Sequence, residues 1–437
     1  MKLNYFIRAF ISLVILSIST QAMAGPMFRR LVRDYNIGKY EDQSFCYFNG
    51  AGELKGNNPQ TKIRLASVTK LYTTYWALST LGPNHQYETR FYIKDDQMHI
   101  VGANDPIFDD KKVFYLLSQF NEKGLKKLKK ITFDKNLMVF PNKKNASENN
   151  SHTTKDYIRF LKTYFNTKTW SDSYYDEYLR LRRLAPQNHD EVELIEKPKF
   201  EAKKIELSEN APFDLDASDV TVYSIKSAPL YKYLKFLNIV SNNYIPEKIF
   251  DQLSKDENFN EFFERALGFP AEKIQLYTGS GLMTYDENDM RFDNFSTCEI
   301  TITMIRELKK LIEANGLYIH DVVGVPGSDG GTFRRRRFSI PELTNAFVAK
   351  TGTLYHTVAL SGMLATKIGL RYFGIFNQTE EIWSARKLQD EIIIQLFKDF
   401  QGPVKFPYRK QGFWPVEGPL ETVREGSSEP VVAAEVM

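Results

Sequence analysis

Residues 68–81 carry Val68, Leu71, Tyr72, Tyr75, Trp76, Leu78 and Leu81 at mixed spacings of three and four, and Gly82-Pro83 ends the run. This spacing predicts a helix too apolar to stand in water, so the remainder of the chain must bury it. Ser67 sits at its start. Lys70 follows three residues later, which puts hydroxyl and ammonium on one helical face. A helix N-terminus favours developing negative charge nearby. A lysine so placed can deprotonate the serine once burial or neighbouring positive charge lowers its pKa. Taken alone, Ser67-Val68-Thr69-Lys70 fits equally an N-cap serine followed by a solvated lysine.

Two further motifs change that balance. Ser241-Asn242-Asn243 lies in a loop between the predicted helices Leu230 to Val240 and Pro246 to Leu253. A hydroxyl there can relay a proton to a leaving amine, and Asn243 can hold a substrate amide carbonyl. Lys350-Thr351-Gly352-Thr353 follows the apolar strand Ala346 to Ala349. A glycine on an exposed strand lets a substrate backbone approach, while Lys350, Thr351 and Thr353 offer donors to a carboxylate. An extended peptide can add to such an edge as a further strand. Nucleophile, relay and clamp thus occur in order, in helix, loop and strand contexts respectively. This trio is shared by penicillin-binding proteins and class A β-lactamases.

The rest of the chain reads as about two domains, since 437 residues at 42% hydrophobic can bury more than one core. The first 24 residues combine Lys2 and Arg8, an apolar run from Ala9 to Ser19, and Ala22-Met23-Ala24 before Gly25, which is the pattern of a cleaved secretory signal. The run is shorter than the ~20 residues that span a bilayer, so no stable membrane span is expected after cleavage. Alternating stretches flanking a helix from about Lys112 to Lys123 predict a small mixed domain over 85–221. Residues 141–220 are polar and hard to read, with a helix at Thr154 to Tyr164. Strands at Phe347 to Lys350, Val358 to Leu364 and Leu370 to Phe376, then a helix over Ala385 to Phe397, give an α+β layer. The Pro-, Gly-, Glu- and Ser-rich segment 401–437 is predicted to be a flexible tail. Cys46 and Cys298 permit one disulfide without requiring it.

The chain resembles the D-alanyl-D-alanine carboxypeptidase/endopeptidase family, the low-molecular-mass class C penicillin-binding proteins. Besides the trio, the resemblance rests on Leu71-Tyr72-Thr73-Thr74 with Leu81-Gly82-Pro83, Ile100 to Pro106, Gly279-Ser280-Gly281-Leu282, and Gly330-Gly331-Thr332 with Arg334 to Arg337. It covers roughly residues 40 to 135 and 220 to 400. It implies a penicillin-recognising, β-lactamase-like α/β sandwich, here 25–84 plus 222–400, with one inserted domain at 85–221. It implies Ser67 as the acylated nucleophile, Lys70 as its base and Ser241 as proton relay. Asn243 would hold the acyl-side amide, Lys350, Thr351 and Thr353 the terminal carboxylate, and the Ser67 and Thr353 amides the oxyanion. The partners it implies are peptidoglycan stem peptides, with β-lactams as covalent inhibitors, in the periplasm. Residues 283–293 look like an added loop able to reshape the cleft rim.

Other chemistries are poorly served. Two cysteines and scattered histidines cannot make a structural zinc site of the usual spacing, so no metal or cofactor is expected. A net charge of +4 is too dispersed for a nucleic-acid partner. None of the six histidines sits beside a serine and a carboxylate, although His356 is near enough to the clamp to line the cleft. Arg334 to Arg337 reads either as a solvated face or as a site for an anionic polymer. Two alternatives to a peptidase remain: a β-lactamase using the same trio, and a catalytically weak module that only binds cell wall.

Overall fold

The computed structural model describes residues 24–140, 153–188 and 192–426, so the predicted signal segment lies almost wholly outside the described residues. The chain divides into two compact units. Of the described residues, one comprises 24–79, 238–241 and 254–410; the other comprises those within 80–237, 242–253 and 411–426.

The first unit is built on a five-stranded antiparallel sheet. Its order is Phe347–Leu354, Thr357–Thr366, Gly369–Asn377, Ser44–Phe48, Leu54–Asn57. Every residue of Thr357–Thr366 is buried, as expected of a strand covered on both faces. On one face Phe45, Leu360 and Ile375 pack against Phe28 of the helix Ala24–Asp34 and Leu388, Ile392 and Leu396 of the helix Ile382–Asp399. On the other lies the helix Cys298–Ala314, so close that a Cβ on Gly374 would stand 2.9 Å from the Cys298 sulfur. Cys46 and Cys298 are bonded, which ties the sheet to that helix across a sequence separation of 252.

A six-stranded sheet forms the second unit, ordered Glu421–Arg424, Thr221–Lys226, Glu88–Lys94, Gln97–Val101, Lys127–Phe133, Glu201–Leu207. The last two pairings are parallel and the others antiparallel. The helix Thr154–Tyr164 begins at a reciprocal capping box between Thr153 and Asp156.

Three readings change here. The helix Asp172–Asn188 and the strand Glu201–Leu207 fall in the polar stretch 141–220, where only a helix at Thr154 to Tyr164 is expected. Tyr178, Leu181, Ala202 and Ile205 enter the core of this unit. The expected limit of the inserted domain at 221 cuts through a sheet, because Thr221–Lys226 pairs with Glu88–Lys94. The tail is not flexible throughout: Trp414, Val416 and Leu420 are buried in the same core, and Glu421–Arg424 extends the sheet. Its polar average composition hides these spaced apolar anchors. Residues 283–293 fold as a short hairpin pairing Thr284–Tyr285 with Arg291–Phe292. Among the described residues no helix is long and apolar enough to cross a membrane.

Closing a loop this long restricts the unfolded chain strongly. Replacing both Cys46 and Cys298 by serine is expected to destabilise the first unit by roughly 3–5 kcal/mol. A lower denaturant midpoint would register this, whereas an unchanged midpoint would mean that the bond contributes nothing to the fold.

Candidate active site

Ser67 occupies a 3₁₀ turn, Ala66–Val68, that runs directly into the helix Thr69–Leu81. The turn is sharp enough to hold Ala66 at φ 46°, a left-handed conformation that disfavours a residue with a Cβ by roughly 1–2 kcal/mol. Packing keeps it there. Gly281, at φ +82°, presses so near that an added Cβ would lie 1.9 Å from the Ala66 carbonyl oxygen. Asn294 accepts no less a share of the work: its carbonyl takes the Leu65 amide at 2.9 Å, and its side-chain amide donates to Thr69 Oγ1 at 3.2 Å and to the Thr278 carbonyl at 2.7 Å.

Lys70 is fully buried. Its Nζ donates to Ser67 Oγ at 2.9 Å and to the Ser280 carbonyl at 2.8 Å, which aims the amine at the serine. The helix beyond is anchored by Thr73, which donates to the Gly279 carbonyl at 2.6 Å. Thr74 donates to the Lys70 carbonyl at 2.7 Å and accepts from Asn238 Nδ2 at 3.0 Å. Asn238 also donates to the Val322 carbonyl at 2.9 Å, so it fixes the chain segment that ends at Ser241. Ser241 itself has φ 57°, a second left-handed residue at the site.

Lys350 faces this serine from the sheet. Its Nζ donates to Ser241 Oγ at 2.8 Å and to the Thr351 carbonyl at 2.9 Å. Burial, and after it the like charge of Lys70, holds the Lys350 ammonium well below the usual lysine range. Gly352 explains how the strand comes so near: a Cβ there would stand 2.8 Å from the Leu65 carbonyl oxygen and 3.1 Å from the Ser67 nitrogen. Without a side chain the strand backbone lies against the nucleophile turn.

Ser67, Ser241, Thr351 and Thr353 line one cavity of about 220 Å³, with Gly352 in its wall. Asn243 belongs to the other compact unit, in the turn before the helix Tyr244–Leu253. There Asn242 Oδ1 accepts the Ile245 amide at 2.9 Å, and the Asn243 carbonyl accepts that of Glu247 at 3.4 Å. His356 is not among the cavity-lining residues; it sits in the hairpin turn and pairs with Glu380 at 3.0 Å.

Four further residues line the cavity, Val358 and the polar Thr332, Arg336 and Arg386. Thr332 accepts from Thr351 Oγ1 at 3.0 Å, and Arg386 donates to Thr353 Oγ1 at 3.2 Å. Arg336 is buried, bonded to Asp390 at 2.7 Å and to Gln389 Oε1 at 3.1 Å. Thr332 stands in a recognised stretch and could have been nominated. Arg386 lies in a helix whose sequence speaks only of amphipathicity, and no local signal marks it.

The chain matches the model of the D-Ala-D-Ala carboxypeptidase 3 (S13) family over residues 49–159 and 204–396. Among solved structures it is similar to a predatory peptidoglycan endopeptidase from Bdellovibrio bacteriovorus, with 25% identity, TM-score 0.76, and coverage of 87% of this chain and 98% of that one. A second predatory endopeptidase of that organism, solved with an immunity protein, has 26% identity and TM-score 0.78 over 86% and 99% of the two chains. Penicillin-binding protein 4 from Haemophilus influenzae shares the fold at 16% identity and TM-score 0.54, over 84% and 99%. The curated proteins contain no significant match.

Two outcomes follow from the geometry. Gly352→Ala is expected to push the strand away from the Ser67 turn, lowering acylation of Ser67 at least about tenfold, because the added Cβ meets the backbone of Leu65 and Ser67; acylation at the wild-type rate would contradict the close approach. Lys350 binds its proton less readily when folded than when unfolded, so this residue's contribution to stability rises with pH between its depressed pKa and about 10.4. Lys350→Met should therefore flatten the rise in melting temperature over that window, and an unchanged slope would contradict the assignment.

Proposed function

Because the chain belongs to the D-Ala-D-Ala carboxypeptidase 3 (S13) family, we propose that it is an exported serine peptidase that cuts D-alanyl bonds of peptidoglycan stem peptides through an acyl-enzyme at Ser67. The observation that carries this reading is Lys70 Nζ at 2.9 Å from Ser67 Oγ, with Lys350 held against Ser241 in the wall of the same cavity. Lys70 takes the Ser67 proton as Oγ attacks the D-alanyl carbonyl. The Ser67 and Thr353 amides receive the oxyanion, an interaction worth about 3–4 kcal/mol per donor. Collapse breaks the C–N bond, and Ser241 passes a proton to the departing amine. Water then hydrolyses the ester and frees Ser67.

Substrate positioning falls to the remaining predicted residues. Lys350, Thr351 and Thr353 give positive potential and donors for the carboxylate of the departing residue, beside the strand that Gly352 leaves open. The N-terminal segment supports export, and the bond between Cys46 and Cys298 suits an oxidising compartment such as the periplasm. The similarity to proteins described as peptidoglycan endopeptidases favours cleavage of cross-links beside release of terminal D-alanine.

Purified protein is expected to release D-alanine from a D-Ala-D-Ala-terminated stem peptide and to split a cross-linked peptide dimer, both followed by chromatography. Ser67→Ala should reduce both rates by roughly 10³-fold or more, and Lys70→Met by about 10²–10⁴-fold. Wild-type and Ser67→Ala proteins acting alike would overturn the nucleophile and favour a wall-binding module. Rapid, repeated turnover of a chromogenic cephalosporin without peptide cleavage would instead favour the β-lactamase reading.

A further inference from the structure

Beside the cavity that holds Ser67 runs a second groove of about 420 Å³, and the two share Thr332, Arg336 and Arg386 in their walls. The new part of the groove adds Arg334, Arg335, Arg337 and Lys387 with the ring of Trp383. Its geometry follows from the chain. Gly330 and Gly331 have φ +71° and +57°, and a Cβ on Gly331 would lie 2.3 Å from the Ile239 carbonyl oxygen, so the loop folds down tightly. Arg336 then turns inward to Asp390, whose other oxygen accepts the Arg337 amide at 2.9 Å. This buried pair pins the loop to the helix Ile382–Asp399 and leaves Arg334 and Arg335 exposed.

Charge in the groove is one-sided. Among the described residues Asp390 is the single carboxylate lining it, and that group is committed to Arg336. Arg337 is 3.9 Å from Glu391, a weak contact at an exposed site. Among the described residues Arg334, Arg335 and Lys387 have no carboxylate partner. Trp383 is 67% exposed, and the Arg386 guanidinium stands 5.1 Å over its ring. A large ring left in water beside unneutralised cations is a surface shaped for a ligand with carboxylates and apolar stems.

Position decides which ligand. The groove opens from the cavity at Thr332 and Arg386, the partners of Thr351 and Thr353, and so lies on the side of the departing residue. We propose that it is the binding site for the leaving strand of a cross-linked stem-peptide dimer, whose additional carboxylates pair with Arg334, Arg335 and Lys387. This rests on the peptidase reading. A departing free D-alanine is too short to reach these residues, so the groove separates cross-link cleavage from carboxypeptidase action.

The test uses the triple variant Arg334→Gln, Arg335→Gln, Lys387→Gln, residues outside the acylation machinery. Against a cross-linked dimer, kcat/KM is expected to fall about tenfold or more, chiefly through KM, and to lose part of its salt dependence. D-alanine release from the uncross-linked peptide and uptake of labelled penicillin should stay within about twofold. The same selective fall in Trp383→Ala would support the groove independently and covers a triple variant that folds poorly. Equal losses on both substrates, or none on the dimer, would overturn the proposal. Wild-type protein that takes up penicillin yet cleaves neither peptide would fell the peptidase reading, and the groove's assignment with it.

Discussion

Two lysines buried in one small space set the terms for everything around them. Lys70 and Lys350 each donate to a serine, and the like charge of one helps to hold the other's ammonium far below its usual range. A pair of lysine amines in a protein interior is costly unless its N–H groups find acceptors. It persists because the surroundings are built to satisfy it: carbonyls of Ser280 and Thr351 accept the remaining protons. The left-handed Ala66 and Ser241 belong to the same arrangement, since each bends the chain where a serine must face a lysine. Strain of this kind concentrates where a site is held in one geometry by its neighbours.

Much of this was readable from residue order. The apolar run before Gly82-Pro83 declares a buried helix, and the strands at 347–376 stand out as short apolar runs, because elements covered on more than one face carry few polar residues. Of the motif residues, Ser67 and Ser241 line one cavity, and Lys70 and Lys350 lie within hydrogen-bond distance of Ser67 and Ser241 respectively. What stayed hidden was non-local. The pairing of Cys46 with Cys298 depends on the helix Cys298–Ala314 lying across the sheet, which spacing cannot convey. The edge strand Glu421–Arg424 has no apolar alternation, since its order comes from a ladder partner nearly 200 residues away. Arg386 reaches Thr353 only because the last helix packs beside that strand.

The same comparison separates two uses of arginine. Arg334 to Arg337 reads in sequence as one basic run, yet Arg336 is a buried structural partner of Asp390, and that inward turn is what spreads its neighbours along a groove.

Covalent trapping tests the central claim, that Lys70 and its buried surroundings make Ser67 an acylating nucleophile. Intact-protein mass spectrometry after incubation with benzylpenicillin, followed by peptide mapping, should show a single adduct on the peptide containing Ser67 and none in Ser67→Ala. Folded protein that gains no adduct, or carries it on another residue, would contradict the account.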